Sequence, residues 1–103
     1  MVPIECEQGM SISVRVNNRM ISEYKNGSLI RSYGSNISQA FTDGSSVIAV
    51  DNGGMIVEFV NGSLRRKYGS NIQTAYISQD VVYATTVTGK LQTWKNGSFI
   101  GER

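Results

Sequence analysis

Asn-Gly-Ser occurs three times in this chain, at Asn26, Asn61 and Asn96, in steps of 35 residues. An aromatic stands two positions ahead of each copy (Tyr24, Phe59, Trp94), and Leu29, Leu64 or Phe99 follows it. The first two copies run on in parallel through Arg31 and Arg66 into YGSNI, at residues 33–37 and 68–72. A period of about 20–50 residues belongs to stacked supersecondary units, none of which buries its apolar face alone.

The middle period shows what one unit is. Ile37, Ala40 and Phe41 mark a first short strand ending at Asp43-Gly44. A β-branched run from Val47 to Val50 follows, closed by the turn Asp51-Asn52-Gly53-Gly54. Ile56, Val57, Phe59 and Val60 form the third segment, which ends at Asn61-Gly62. Asn-Gly between strand-like residues is the strongest short hairpin signal, because a type I′ turn needs positive φ at both central positions. The fourth segment, SLRRKY, closes at Gly69. Four strands and tight turns make an antiparallel meander. The flanking units read alike. The first has IECE, the turn Gln8-Gly9, SISVRV, the turn Asn17-Asn18 and RMISEY; the third has turns at Gln79-Asp80 and Thr88-Gly89. Ala40 matches Ala75 and Ala49 matches Ala84, small residues that permit close sheet packing. No capped apolar stripe of period 3.6 is present, so the class is all-β.

Composition removes several functions. Cys6 is the sole cysteine, which excludes an internal disulfide and a cysteine-rich zinc site. Histidine is absent, and with it the usual general base and the commonest transition-metal ligand. A formal charge of +2 argues against a nucleic-acid binder, which shows a pronounced basic stripe. No apolar run approaches the roughly 18–20 residues of a spanning helix, and no basic-then-apolar leader opens the chain. No membrane association is expected, and the cytoplasm is the expected compartment. No nucleophile–base pair or metal cluster is recognisable, and Glu5 and Glu7 are too weakly placed for hydrolysis. The chain therefore reads as non-enzymatic, with no catalytic residue, metal or cofactor.

Four-stranded units at this spacing resemble the blades of a β-propeller, most closely the compact WD40-like kind, although the Gly-His and Trp-Asp dipeptides of that family are missing. The resemblance implies three blades, at residues 1–34, 35–69 and 70–103, in one repeat domain. Closed propellers have about four to eight blades, so three require a partner. The expectation is a homodimer closing a six-bladed ring, blade three of each chain against blade one of the other. The implied function is a self-assembling binding or scaffold module that holds a protein or small ligand on a ring face or in a central channel. The alternative is a carbohydrate-binding lectin using inter-blade aromatics.

Candidate ligand-binding residues are Tyr24, Trp94, Asn36, Asn71 and Arg66. Tyr24 and Trp94, with Phe59, occupy one position per unit, where an aromatic either stacks on a sugar or fills the inter-blade core. Asn36 and Asn71 lie between units and either line a channel or cap turns. Arg66 belongs to the basic cluster Arg65, Arg66 and Lys67, which contacts an anionic partner or protects a sheet edge. The three Asn-Gly-Ser sites also match the glycosylation acceptor, but the hairpin reading accounts for them. Asp51-Asn52-Gly53-Gly54 lacks the spaced ligand set of a calcium loop and reads as a turn.

Overall fold

The computed structural model describes residues 12–44 and 46–102. The strand expected at IECE, with Cys6, the Glu5 and Glu7 pair and the Gln8-Gly9 turn, lies outside the described residues. Every regular element described is a strand, so the all-β class is observed. The first sheet holds β1 (Ile12–Asn17), β2 (Met20–Lys25) and β3 (Ser28–Tyr33). The second holds β4 (Ile37–Thr42), β5 (Val47–Asp51), β6 (Ile56–Val60) and β7 (Ser63–Tyr68). The third holds β8 (Ile72–Ser78), β9 (Val81–Thr86), β10 (Leu91–Lys95) and β11 (Ser98–Glu102). All three are antiparallel meanders in chain order.

Each Asn-Gly pair makes the two-residue hairpin its chemistry requires. Asn26, Asn61 and Asn96 have φ of 54°, 52° and 52°, and the glycines after them 82°, 82° and 78°. Both central positions are positive, as in a type I′ turn, whose twist matches that of the flanking strands. One residue beyond the hairpin is bulged in each sheet: Tyr24 faces Leu29 but Glu23 faces Arg31, so Ile30 has no partner. The second and third sheets repeat the irregularity at Glu58/Phe59 and Thr93/Trp94.

The sheets stack in sequence order, and the second is covered on both faces. Val47, Ala49, Val57 and Phe59 pack toward the first sheet with Ile21 and Ile37. Ile48, Val50 and Ile56 pack toward the third with Ala75, Ile77, Val82 and Ala84. This two-sided burial explains why β5 reads as a continuous apolar run without alternation. Ile21, Ile48 and Ile56 are wholly buried, each contributing about 1.5–3 kcal/mol. Ala49 pairs with Ala40 and Ala84 with Ala75, keeping side chains small where the sheets meet.

The first sheet breaks the repeat by one residue. Val50 pairs with Ile56 and Thr85 with Leu91, which are 35-residue translations of each other. The same translation would pair Arg15 with Ile21, yet Ile21 faces Val16 and Arg15 faces Ser22. The turn makes the difference. In place of the Asn17-Asn18 turn expected from the sequence, the loop is Asn18-Arg19, with φ of 53° and 63°. The second sheet uses three residues, 52–54, closed by the Asp51 N–H donating to the Met55 carbonyl at 3.0 Å. A one-residue slip exchanges the faces of a strand. It turns Ile12, Val14 and Val16 into the core and leaves Ser13 and Arg15 outward. Burial of three aliphatic side chains selects this register over the repeat register, which would bury Ser13 and Arg15.

The crossings between sheets are tied at equivalent points. The Ile37 N–H donates to the Arg19 carbonyl at 3.0 Å, and the Ile72 N–H to the Gly54 carbonyl at 2.9 Å. Between the strands that open the second and third sheets, the Gln39 amide donates to the Gln73 carbonyl at 2.9 Å and accepts from the Thr74 hydroxyl at 2.8 Å.

Candidate docking face on the third sheet

Each of the first two sheets carries a buried carboxylate held by a clasp. Glu23 is only 3% exposed; Arg31, directly across on β3, donates to it at 3.1 Å, and the Tyr33 hydroxyl at 2.7 Å. Thirty-five residues on, Arg66 donates to Glu58 at 3.1 Å and the Tyr68 hydroxyl donates to its other oxygen. A buried carboxylate is costly unless paired and hydrogen-bonded, and two donors from the neighbouring strand supply both. Burial, then the bond to the glutamate, pushes the Tyr33 and Tyr68 phenols above the ordinary tyrosine range. Both tyrosines therefore stay protonated donors at neutral pH.

The clasp also forms the junction with the following sheet. Tyr33 lies on Phe59 and Tyr68 on Trp94, each at 4.9 Å between ring centroids. A Cβ on Gly62 would stand 2.7 Å from Cδ of Arg31, and one on Gly97 2.6 Å from Cδ of Arg66. Each arginine thus lies along the Asn-Gly hairpin of the next sheet, where only glycine leaves it room.

The third sheet has no clasp. Thr93 and Gly101 face each other where Glu58 and Arg66 do in the second sheet. Positions 83, 85 and 91, equivalent to Ile48, Val50 and Ile56, hold Tyr83, Thr85 and Leu91. Among the described residues no sheet covers them. Tyr76 and Tyr83 stack at 5.2 Å and 22°, with Tyr76 55% and Leu91 52% exposed. A groove of about 440 Å³ runs along this face, lined by Tyr83, Thr85, Leu91, Thr93, Ile100 and Gly101, with Glu102 accepting from Gln92 at 3.0 Å on its rim. A contiguous exposed apolar patch with a polar rim is the usual mark of an interaction surface.

The residues anticipated from the sequence lie elsewhere. The Tyr24 ring is half-buried beneath the Arg15 guanidinium, whose carbon is 5.7 Å from its centroid. Trp94 is half-buried under Tyr68, meets Phe99 edge-on at 5.2 Å, and donates to Gln92 at 3.2 Å. Arg66 is engaged with Glu58. Asn36 and Asn71, both at φ 55°, accept through their backbone carbonyls from the N–H groups of Asn52 (2.7 Å) and Val87 (2.8 Å), so their main chains are turn elements and their side chains are exposed. Arg66 and Trp94 both lie at the junction of the second and third sheets, Arg66 along Gly97 and Trp94 under Tyr68; Tyr24 is on the outward face of the first. Between the first two sheets a groove of about 430 Å³ passes Phe59, Leu64, Asp51 and Lys67. There burial raises the Asp51 carboxyl, but bonds from the Met55 and Gly53 N–H groups and from Lys67 outweigh it and hold the group below its usual value.

Sequence reasoning passed over Tyr76, Tyr83, Leu91, Thr93 and Gly101. The signal was a departure from the repeat: Glu, seven residues, Arg, one residue and Tyr recurs in the first two units and is lost in the third.

Compared with known proteins, the chain matches the family described as the Helicobacter pylori IceA2 protein at residues 10–55 and again at 46–101. It belongs to the IceA2 family. The IceA2 pattern is met twice along the stack, and the two matches together span all but the extreme ends of the chain. Both glutamate clasps and the clasp-free third sheet as far as Gly101 lie within the IceA2 matches. No curated protein sequence matches the chain significantly.

Proposed function

We propose that this chain is a non-enzymatic binding module of the β-propeller type, three blades per chain, whose working surface is the outward face of the third sheet. One observation carries the reading: the face that is covered in the first two sheets has no sheet over it in the third among the described residues, and there the charged clasp is replaced by Thr93 and Gly101 beside an exposed tyrosine stack. Self-association belongs to this reading, since three blades fall short of the roughly four to eight of a closed propeller and leave a sheet face to be covered. The clasp glutamates support a structural role, because Glu23 and Glu58 are held by arginine and tyrosine and are not presented to solvent.

An apolar fluorescent reporter tests the surface. At high dilution, where copies of the chain are separate, it is expected to bind and to lose that binding in Leu91→Lys, with the far-ultraviolet circular dichroism unchanged. Reporter binding that survives Leu91→Lys refutes the assignment. The stacked pair Tyr76 and Tyr83, beside Thr85 and Thr93, favours a second reading, a lectin stacking a sugar ring on this face. Glycan-array binding that disappears in Tyr83→Ala is its expected signature.

A further inference from the structure

Among the described residues two faces have no sheet against them, the outward faces of the first and third sheets, and they differ in chemistry. The slipped register of β1 makes the first polar: Ser13, Arg15 and Asn17 point outward, and Asn17 donates to Ser22 at 3.2 Å. Arg15 covers Tyr24 much as Tyr33 covers Phe59 and Tyr68 covers Trp94 at the internal junctions. The place that a preceding sheet's tyrosine would take is thus filled from within. Polar outer faces of this kind close the ends of repeat stacks. The third face is apolar and aromatic.

We infer that the third-sheet face docks on the same face of a second copy about a two-fold axis, a conclusion that rests on reading this face as the binding surface. Continuity with the internal junctions is the first argument, and it says that a sheet covers this face. Ile48, Val50 and Ile56 are buried beneath the following sheet, and Tyr83, Thr85 and Leu91 are their translations with nothing described above them. Charge is the second. Around a two-fold axis a surface meets itself, so a charge near the axis meets its own copy. A Glu and an Arg at the clasp positions would each be desolvated close to a like charge. Thr93 and Gly101 remove both, and among the described residues Glu102 on the rim is the sole charged residue lining the groove. The resulting six-sheet stack has a polar first sheet at each end, and the assembly stops at two chains.

Sedimentation in a Cys6→Ser background, where an introduced thiol is the only one, tests this with the full chain. The expected mass is twice the 11.3 kDa of one chain. Tyr83→Cys is expected to cross-link to its own copy under mild oxidation, the signature of a two-fold contact. Leu91→Lys, at an exposed position that a single chain tolerates, is expected to weaken association more than about tenfold. Arg15→Glu on the first sheet is expected to leave association unchanged. A head-to-tail ring would give the reverse, a dimer broken by Arg15→Glu with no self cross-link at Tyr83, and that result overturns the proposal. A monomeric mass up to about 100 µM also overturns it. In that case a reporter still bound by the wild type and lost in Leu91→Lys preserves the binding face and eliminates only the second copy as its partner.

Discussion

Glu58 carries its carboxylate at 8% exposure because Arg66 and Tyr68 reach it from the adjacent strand. Replacing the glutamate leaves a half-buried guanidinium and a phenol without their acceptor. Glu58→Ala is therefore expected to cost about 2–4 kcal/mol, somewhat below the value for a wholly buried pair because Arg66 keeps some access to water. Thr93→Ala, at the matching position of the third sheet, is expected to cost less than about 1 kcal/mol. Urea denaturation of the two variants checks the contrast, and equal losses would show that the clasp contributes no special stability. The residues of the clasp were visible as a repeated arginine and tyrosine, but no local pattern pairs them with the glutamate. Glu23 and Arg31 are eight residues apart and become neighbours only through the hairpin and its bulge.

Among the elements, the hairpins show how one motif acquires different roles. Gly27, Gly62 and Gly97 have nearly the same positive φ, so alanine costs each about 1–2 kcal/mol of backbone strain. Gly27 has open space around it, whereas Gly62 and Gly97 lie against an arginine of the preceding sheet. Gly97→Ala is thus expected to destabilise by about 1–3 kcal/mol more than Gly27→Ala, measured by thermal or chemical unfolding. Equal effects would mean that Arg66 moves aside freely. The turn type was legible from Asn-Gly alone, since it depends on two residues. The register of β1 was not. The 13-residue stretch from Ile12 to Tyr24 has the same length as its counterpart in the second unit, and only the demand to bury Ile12, Val14 and Val16 shortens the loop.

At the scale of the molecule, the second sheet is the one enclosed on both sides among the described residues, and it holds most of the buried hydrophobic side chains. Native-state hydrogen exchange is expected to be slowest in β5 and β6 and faster in β10 and β11, because opening an outer sheet leaves the inner junction intact. Uniform protection across the three sheets would show instead that they unfold as one unit. No helix among the described residues is long and apolar enough to cross a membrane.

The 35-residue period, the positive-φ hairpins and the short β-branched runs between turns are read along the chain, and the amino-acid sequence by itself determined them and with them the all-β class. Which face of each strand is covered, which charges find partners, and where the stack has an unoccupied face depend on contacts between residues of different units. Repetition assigns the units equal roles. Tertiary packing distinguishes them, because the first sheet slips to bury its aliphatic side chains and the third has no clasp and no described sheet on its outward face.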